Sequence, residues 1–231
     1  MSNNHLPFTL IDLTHTLSSK IPSWDGKCGF NHDIKRDYDT TTPSTKFRTH
    51  TLQMEAGIGT HMDAPIHCIP GGLTISDLSL NRLAAPCVII DVSLKAHERY
   101  KITVHDVRDF EETYGQIPEH AFVIFQTGWE RFWYTPDQYR NNYIFPSICK
   151  EVALLLLDRR IAGIGIDTLS PDLPEDGFPI HQLILDSGKY IVENITNIKH
   201  MPKTGAFSLT LPIKILGGTE APVRLVGLIL N

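Results

Sequence analysis

At 231 residues, with a formal net charge of −5, 42% hydrophobic and 20% charged residues, the chain has enough apolar material for one large packed domain or two small ones. Lys and Arg form no stripe of the kind that binds nucleic acid or an anionic membrane, and no apolar run approaches the roughly 20 residues of a membrane-spanning helix. The opening MSNNHLPFTL lacks the basic and apolar regions of a secretory signal, and Cys28, Cys68, Cys87 and Cys149 form no CxxC pair, so they read as reduced thiols of a cytoplasmic protein.

In chain order, FTLIDLTHTL (8–17) alternates as a strand, with Leu10, Asp12 and Thr14 on one side and Ile11, Leu13 and His15 on the other. IPSWDG then turns and leaves Trp24 in a loop, where a large aromatic face packs on its own domain or walls a planar substrate. Residues 30–46 are polar, with Asp37, Asp39, Thr40, Thr41, Thr42 and Pro43, and read as a long surface loop or hairpin, a usual place for a lid. Residues 47–54 form a strand leading into EAGIGTHMDAPIHCIPGG (55–72).

Beyond Gly71-Gly72, residues 73–85 carry a short helical or 3₁₀ pattern. PCVIIDVS (86–93) and HAFVIFQTGW (120–129) are continuous apolar runs, the mark of strands covered on both faces. Between them Thr103 and Asp106 make a capping box, Val104, Val107, Phe110 and Tyr114 an apolar stripe, and Gly115 a stop, which together predict a helix. A second helix is predicted over 147–160, a strand over 161–167, a short helix over 180–186 and a strand over 189–194. Two strands within 205–230, joined through Gly217-Gly218, close the chain. About eight strands and four helices without repeat or linker predict a mixed α/β fold in a single domain over 1–231.

The chemistry concentrates in the 55–72 stretch. His61 and Asp63 are two residues apart, so an extended backbone points both to one face, where imidazole and carboxylate can share a cation. Pro65 suits the first turn of a helix, which would turn His67 back toward that cation. Such donors suit Zn²⁺ first and Mn²⁺ or Fe²⁺ second. Each histidine alone would more often be a surface or hydrogen-bonded core residue.

GTHMDAPIH (59–67) resembles the HxGTHxDxPxH signature of the cyclase family of metal-dependent hydrolases, which contains bacterial kynurenine formamidases and isatin hydrolases. IDLTHTLSSKIPSWDG, IFQTGW, GIGIDTLSPD, IVEN and GGTEAPVRLVGLIL resemble further family blocks, in order, over nearly the whole chain. The resemblance implies a swivelling β/β/α fold. It implies that His61, Asp63, His181 and Glu193 hold one or two divalent ions per chain, and that His67 is a general acid/base able to touch a metal. It implies that Trp24 contacts a small-molecule substrate, and that the chain forms a homo-oligomer, a dimer or tetramer. One position departs from the signature: where the family has a ligand histidine two residues before GTH, this chain has Gly57, and no sequence neighbour replaces it. Two functions follow as expectations. The first is metal-dependent hydrolysis of a C–N bond in an aryl formamide such as N-formylkynurenine or a cyclic amide such as isatin. The second is a catalytically impaired protein of the same fold that binds metal or small ligand. A cysteine or serine hydrolase is disfavoured, since there is no GxSxG and Cys68 adjoins His67 in poor geometry for a dyad.

Overall fold

The computed structural model describes residues 6–40 and 46–231. In chain order its regular elements begin with β1 (Phe8–Asp12), β2 (Asn31–Arg36), β3 (Thr49–Gln53) and β4 (His61–Asp63). There follow α1 (Leu80–Leu83), β5 (Ala84–Asp91), β6 (Lys101–Ile102), α2 (Val104–Tyr114), β7 (Phe122–Gln126), α3 (Pro136–Arg140) and β8 (Ser147–Ile148). The last are α4 (Lys150–Asp158), β9 (Gly163–Ile166), α5 (Pro179–Asp186), β10 (Tyr190–Glu193), β11 (Ala206–Pro212) and β12 (Glu220–Leu230).

The main sheet has the order β1-β12-β11-β5-β7-β9-β10-β4, and β4 also pairs with β12, so the sheet closes on itself with β1 as an added edge. Strands β5, β7, β9 and β10 run parallel as neighbours, while β11, β12 and β4 join antiparallel. Closure removes the unpaired edge that an open sheet would leave beside β4.

The continuous apolar runs occupy the parallel strands, and their alternate residues serve two cores. Val88, Ile90, Val123, Phe125, Ile164 and Ile191 face outward onto Val107 and Phe110 of α2, Val152 and Leu156 of α4, and Ile184 of α5. Cys87, Ile89, Phe122, Ile124, Tyr190 and Val192 fill the inside of the closed sheet with Met62, Leu13 and Leu225. Phe122 and Tyr190 stack there with centroids 5.5 Å apart. A third cluster, built on Trp129, Trp133, Tyr139, Phe145, Ile58 and Leu169, lies under the loops.

The mixed α/β fold expected from the sequence is the one observed, with differences at element ends. The 8–17 strand stops at Asp12, with one further bridge from Thr14 to Ile195. The 147–160 helix begins at Lys150, because Ser147 and Ile148 instead pair with β6 and Cys149 is extended. The capping box at Thr103 and Asp106 and the stop at Gly115 form as predicted. The 30–46 stretch contributes β2, which pairs with β3 as a solvent-exposed hairpin. Its residues Thr41, Thr42 and Pro43 lie outside the described residues. Among the described residues no helix is long and apolar enough to cross a membrane.

Candidate metal centre

The site sits where β4 closes the sheet. β4 lies between β10 and β12, antiparallel to both. In one register Glu193 stands opposite His61, and in the other Glu220 stands opposite Asp63. Residues directly opposite each other in antiparallel strands project to the same face, and His61 and Asp63 share a face by the two-residue period. Three strands therefore aim four polar side chains at one point. A fifth, His181, comes from the first turn of α5, which packs over β10.

The backbone before β4 is held tightly. Gly59 has φ +63°, a left-handed conformation that favours glycine, and its carbonyl accepts hydrogen bonds from His61 Nδ1 (2.9 Å) and Asn194 Nδ2 (2.8 Å). Thr60 Oγ1 donates to the Asn194 carbonyl at 2.6 Å and accepts from the His15 amide at 2.9 Å. Thr60 and the glycine before it thus tie three chain segments together directly behind the site. With Nδ1 donating to a carbonyl, His61 carries its proton there and turns a bare Nε2 to the cluster. His181 is braced in the same sense: its Nδ1 lies 2.8 Å from Asp172 Oδ2, and Asp172 also accepts the amides of Ile180 and His181. A carboxylate behind an imidazole fixes its tautomer and raises its basicity as a ligand.

His61 Nε2 lies 3.6 Å from Asp63 Oδ1 and 3.4 Å from Glu193 Oε2, and His181 Nε2 lies 3.6 Å from Asp63 Oδ2 and 3.5 Å from Glu193 Oε1. These separations exceed good hydrogen bonds. Both Asp63 oxygens and Glu193 Oε1 are buried without a hydrogen-bond partner. Burying unpaired carboxylates is costly, and a divalent cation between them and the two Nε2 atoms removes that cost. The residues fit such an ion, and two sets of donors lie mutually within 4.8 Å: Asp63, His181 and Glu193, all buried, and His61, Asp63 and Glu220.

The electrostatics of the cluster agree. Burial works against charge on Asp63, but His181 and His61 outweigh it and lower its pKa. Burial and the charge of Asp63 together raise the pKa of Glu193. Burial opposes imidazolium at both His61 and His181, yet the surrounding carboxylates raise both pKa values. The cluster thus favours positive charge between its carboxylates, which a bound cation would also supply.

His67 falls just outside both donor sets. Pro65–His67 forms a single 3₁₀ turn capped by Ala64, as the proline suggests. The turn carries the His67 ring to the solvent side, with Nδ1 3.3 Å from Glu220 Oε2 and its centroid 6.0 Å from that of His181. The Glu220 carboxylate raises its pKa against the opposing effect of burial. Trp24 stands across the opening, its ring 4.6 Å from Tyr143 and 6.0 Å from Phe178. Together these residues line a cavity of about 890 Å³ that also takes in Glu55, Gly57, Cys68, Leu169 and Gln182. Burial pushes the Cys68 thiol pKa up, which suits a wall residue and not a nucleophile.

All the residues singled out in the sequence, Trp24, His61, Asp63, His67, His181 and Glu193, line this one cavity. Glu220 is the residue missed. It opens β12 directly after a Gly-Gly-Thr turn, and its partner β4 is far away in sequence; the only available sign was its place in the closing GGTEAPV block.

A closed α/β sheet with a His/Asp/Glu cluster at its seam defines a class of proteins with a polar cavity where the sheet closes. The protein-family profile described as "Putative cyclase" matches residues 11–173, and the chain belongs to that family. It is 28% identical over 225 residues to a kynurenine formamidase of Salinibacter ruber, covering 94% of this chain and 96% of the relative. It is similar to the solved structure of isatin hydrolase A from Labrenzia aggregata bound to benzyl benzoate, with a TM-score of 0.87 and 27% identity over 97% of this chain and 95% of that one. A solved structure described as a potential metal-dependent hydrolase with cyclase activity matches with a TM-score of 0.75 and 26% identity, covering 96% and 98%.

Proposed function

We propose that the protein is a metal-dependent hydrolase that cleaves the C–N bond of a small aromatic or cyclic amide. The observation that carries this reading is Asp63: a fully buried carboxylate, both oxygens without hydrogen bonds, set between two imidazoles whose Nδ1 atoms are already engaged. His61, Asp63, His181 and Glu193 would hold the cation, Zn²⁺ or Mn²⁺ by the nitrogen and oxygen donors on offer. When bound, such an ion acidifies water and polarises a carbonyl.

The chain's own residues supply the rest. His67 reaches the mouth of the cluster, where Glu220 raises its pKa and favours its protonated form, and it can give a proton from Nε2 to the departing nitrogen. Trp24 and Phe178 offer aromatic faces on which a planar substrate stacks. The named relatives act on two such compounds, a formamide and a cyclic amide, and both fit a cavity of about 890 Å³. The alternative of a catalytically impaired binding protein rested on the missing donor at Gly57, and it weakens because the Glu220 carboxylate lies beside that glycine.

The test is turnover of N-formylkynurenine and isatin by purified protein before and after chelation. Activity lost on chelation and regained with Zn²⁺ or Mn²⁺ is expected. Undiminished activity in metal-free protein would overturn the metal-dependent reading.

A further inference from the structure

Gly57 and Glu220 face each other across the cavity edge. A methyl group placed on Gly57 would run into Oε1 of Glu220 and would lie 3.2 Å from its carboxyl carbon and 3.4 Å from His61 Nε2. Gly57 is not among the glycines with positive φ, so its backbone does not demand glycine. What the missing side chain supplies is room, and that room lies beside both the Glu220 carboxylate and the Nε2 of His61.

We infer that Glu220 is a metal ligand: with His61 and Asp63 it completes a second cation site, and Gly57 is the space that admits its carboxylate. This rests on the metal-dependent reading above and adds a donor to it. The cross-strand register carries the inference, because Glu220 stands opposite Asp63 on β4 just as Glu193 stands opposite His61 on the other flank. The two carboxylates thus approach His61 and Asp63 from opposite sides. A further observation points to a bound ion: Asp63 Oδ1, on the His61 side, is buried and unpartnered, as is Oδ2 on the His181 side. Asp63 therefore has one oxygen for each site, and the two donor sets share it.

The assignment also gives the two oxygens of Glu220 separate tasks. Oε1 faces Gly57 and the cation site, while Oε2 holds His67 Nδ1 at 3.3 Å. One side chain then sets both an ion and the orientation of the proton donor, a carboxylate behind an imidazole in the sense already seen at His181.

The experiment is Zn²⁺ content and Zn²⁺ titration of wild type, Glu220→Gln and Gly57→Ala, with thermal melting in chelator and in Zn²⁺. Wild type should hold two equivalents. Glu220→Gln, which is isosteric, should hold one tightly and bind the other about 100-fold more weakly, since loss of a direct ligand costs at least what outer-shell changes do. Gly57→Ala should lose the same equivalent by displacing the Glu220 carboxylate. In chelator, Glu220→Gln should melt slightly below wild type, because it loses the ion pair with His67; in Zn²⁺ the gap should widen. That widening separates a ligand from a residue that merely supports the fold. Equal Zn²⁺ content and affinity in wild type and Glu220→Gln would overturn the assignment and leave the metal-dependent reading standing. Wild type that takes up no metal would overturn both.

Discussion

The two halves of the centre are built differently although they share Asp63. The inner half, Asp63, His181 and Glu193, is fully buried, and Asp172 braces His181 from behind while capping the start of α5. The outer half, His61, Asp63 and Glu220, opens to the cavity; its imidazole leans on a backbone carbonyl, and its third member is partly exposed and also engaged with His67. Burial and a rigid brace favour a tightly held, slowly exchanging ion, while partial exposure favours access by water and substrate. On the proposed reading, the inner half supports the site and the outer half, beside His67 and Trp24, meets the substrate.

The change that breaks both halves at once should have the largest effect. Asp63→Asn removes the shared carboxylate, and turnover should fall by about 10³-fold or more as several kcal/mol of stabilisation are lost; steady-state kinetics with metal analysis should show both equivalents gone. His67→Ala tests the outer half at a residue that belongs to neither donor set, though its ring contacts Glu220. A fall in kcat of about 10²–10⁴-fold is expected for a lost proton donor, with metal content unchanged. A matching loss of metal would instead tie His67 to the metal site, directly or through Glu220.

The scaffold behind the outer half can be probed through His15, whose amide holds Thr60 and whose ring stacks on Trp133 at 3.8 Å. Burial lowers its pKa from 6.5 to about 4, and Nε2 has no partner to stabilise a proton. The unfolded chain therefore binds this proton at a higher pH than the native state does. Stability is full above pH 6.5 and falls as the pH drops through the window from 6.5 to about 4, by up to about 3 kcal/mol. Denaturant melts across that window should show the slope in wild type and lose it in His15→Phe; an unchanged slope would assign it to other groups.

Asp172→Asn acts on the inner half alone. It should weaken one metal equivalent by about 10–100-fold and leave the other unchanged in a competitive chelator titration. The smallest effect is expected at the rim. Trp24→Ala should raise KM roughly 2–10-fold with little change in kcat, the value of one aromatic contact, and a fall in kcat alone would remove Trp24 from substrate binding.

Much of the fold was legible because local rules and tertiary packing agree. The apolar runs of β5 and β7 demanded cover on both faces and received it, from the helices outside and the aromatics within. The capping box at Thr103 and Asp106 needed no tertiary information. Where local rules were weak, boundaries moved: Ser147 and Ile148 could continue a helix, but β6 offered them strand pairing. In the site, His61 and Asp63 were legible from the period of a strand, and Pro65 from the geometry of a helical turn.

The sequence by itself therefore placed His61 and Asp63 on one face of β4, and the family pattern pointed to His181 and Glu193, which share their cavity. It also showed the gap at Gly57 but not what stands in it. Only the tertiary structure decided that, because the pairing of β4 with β12 closes the sheet through contacts remote in sequence, and that closure sets Glu220 opposite Asp63. Registry between distant strands is a property of the closed sheet as a whole, whereas periodicity and capping act within a few residues.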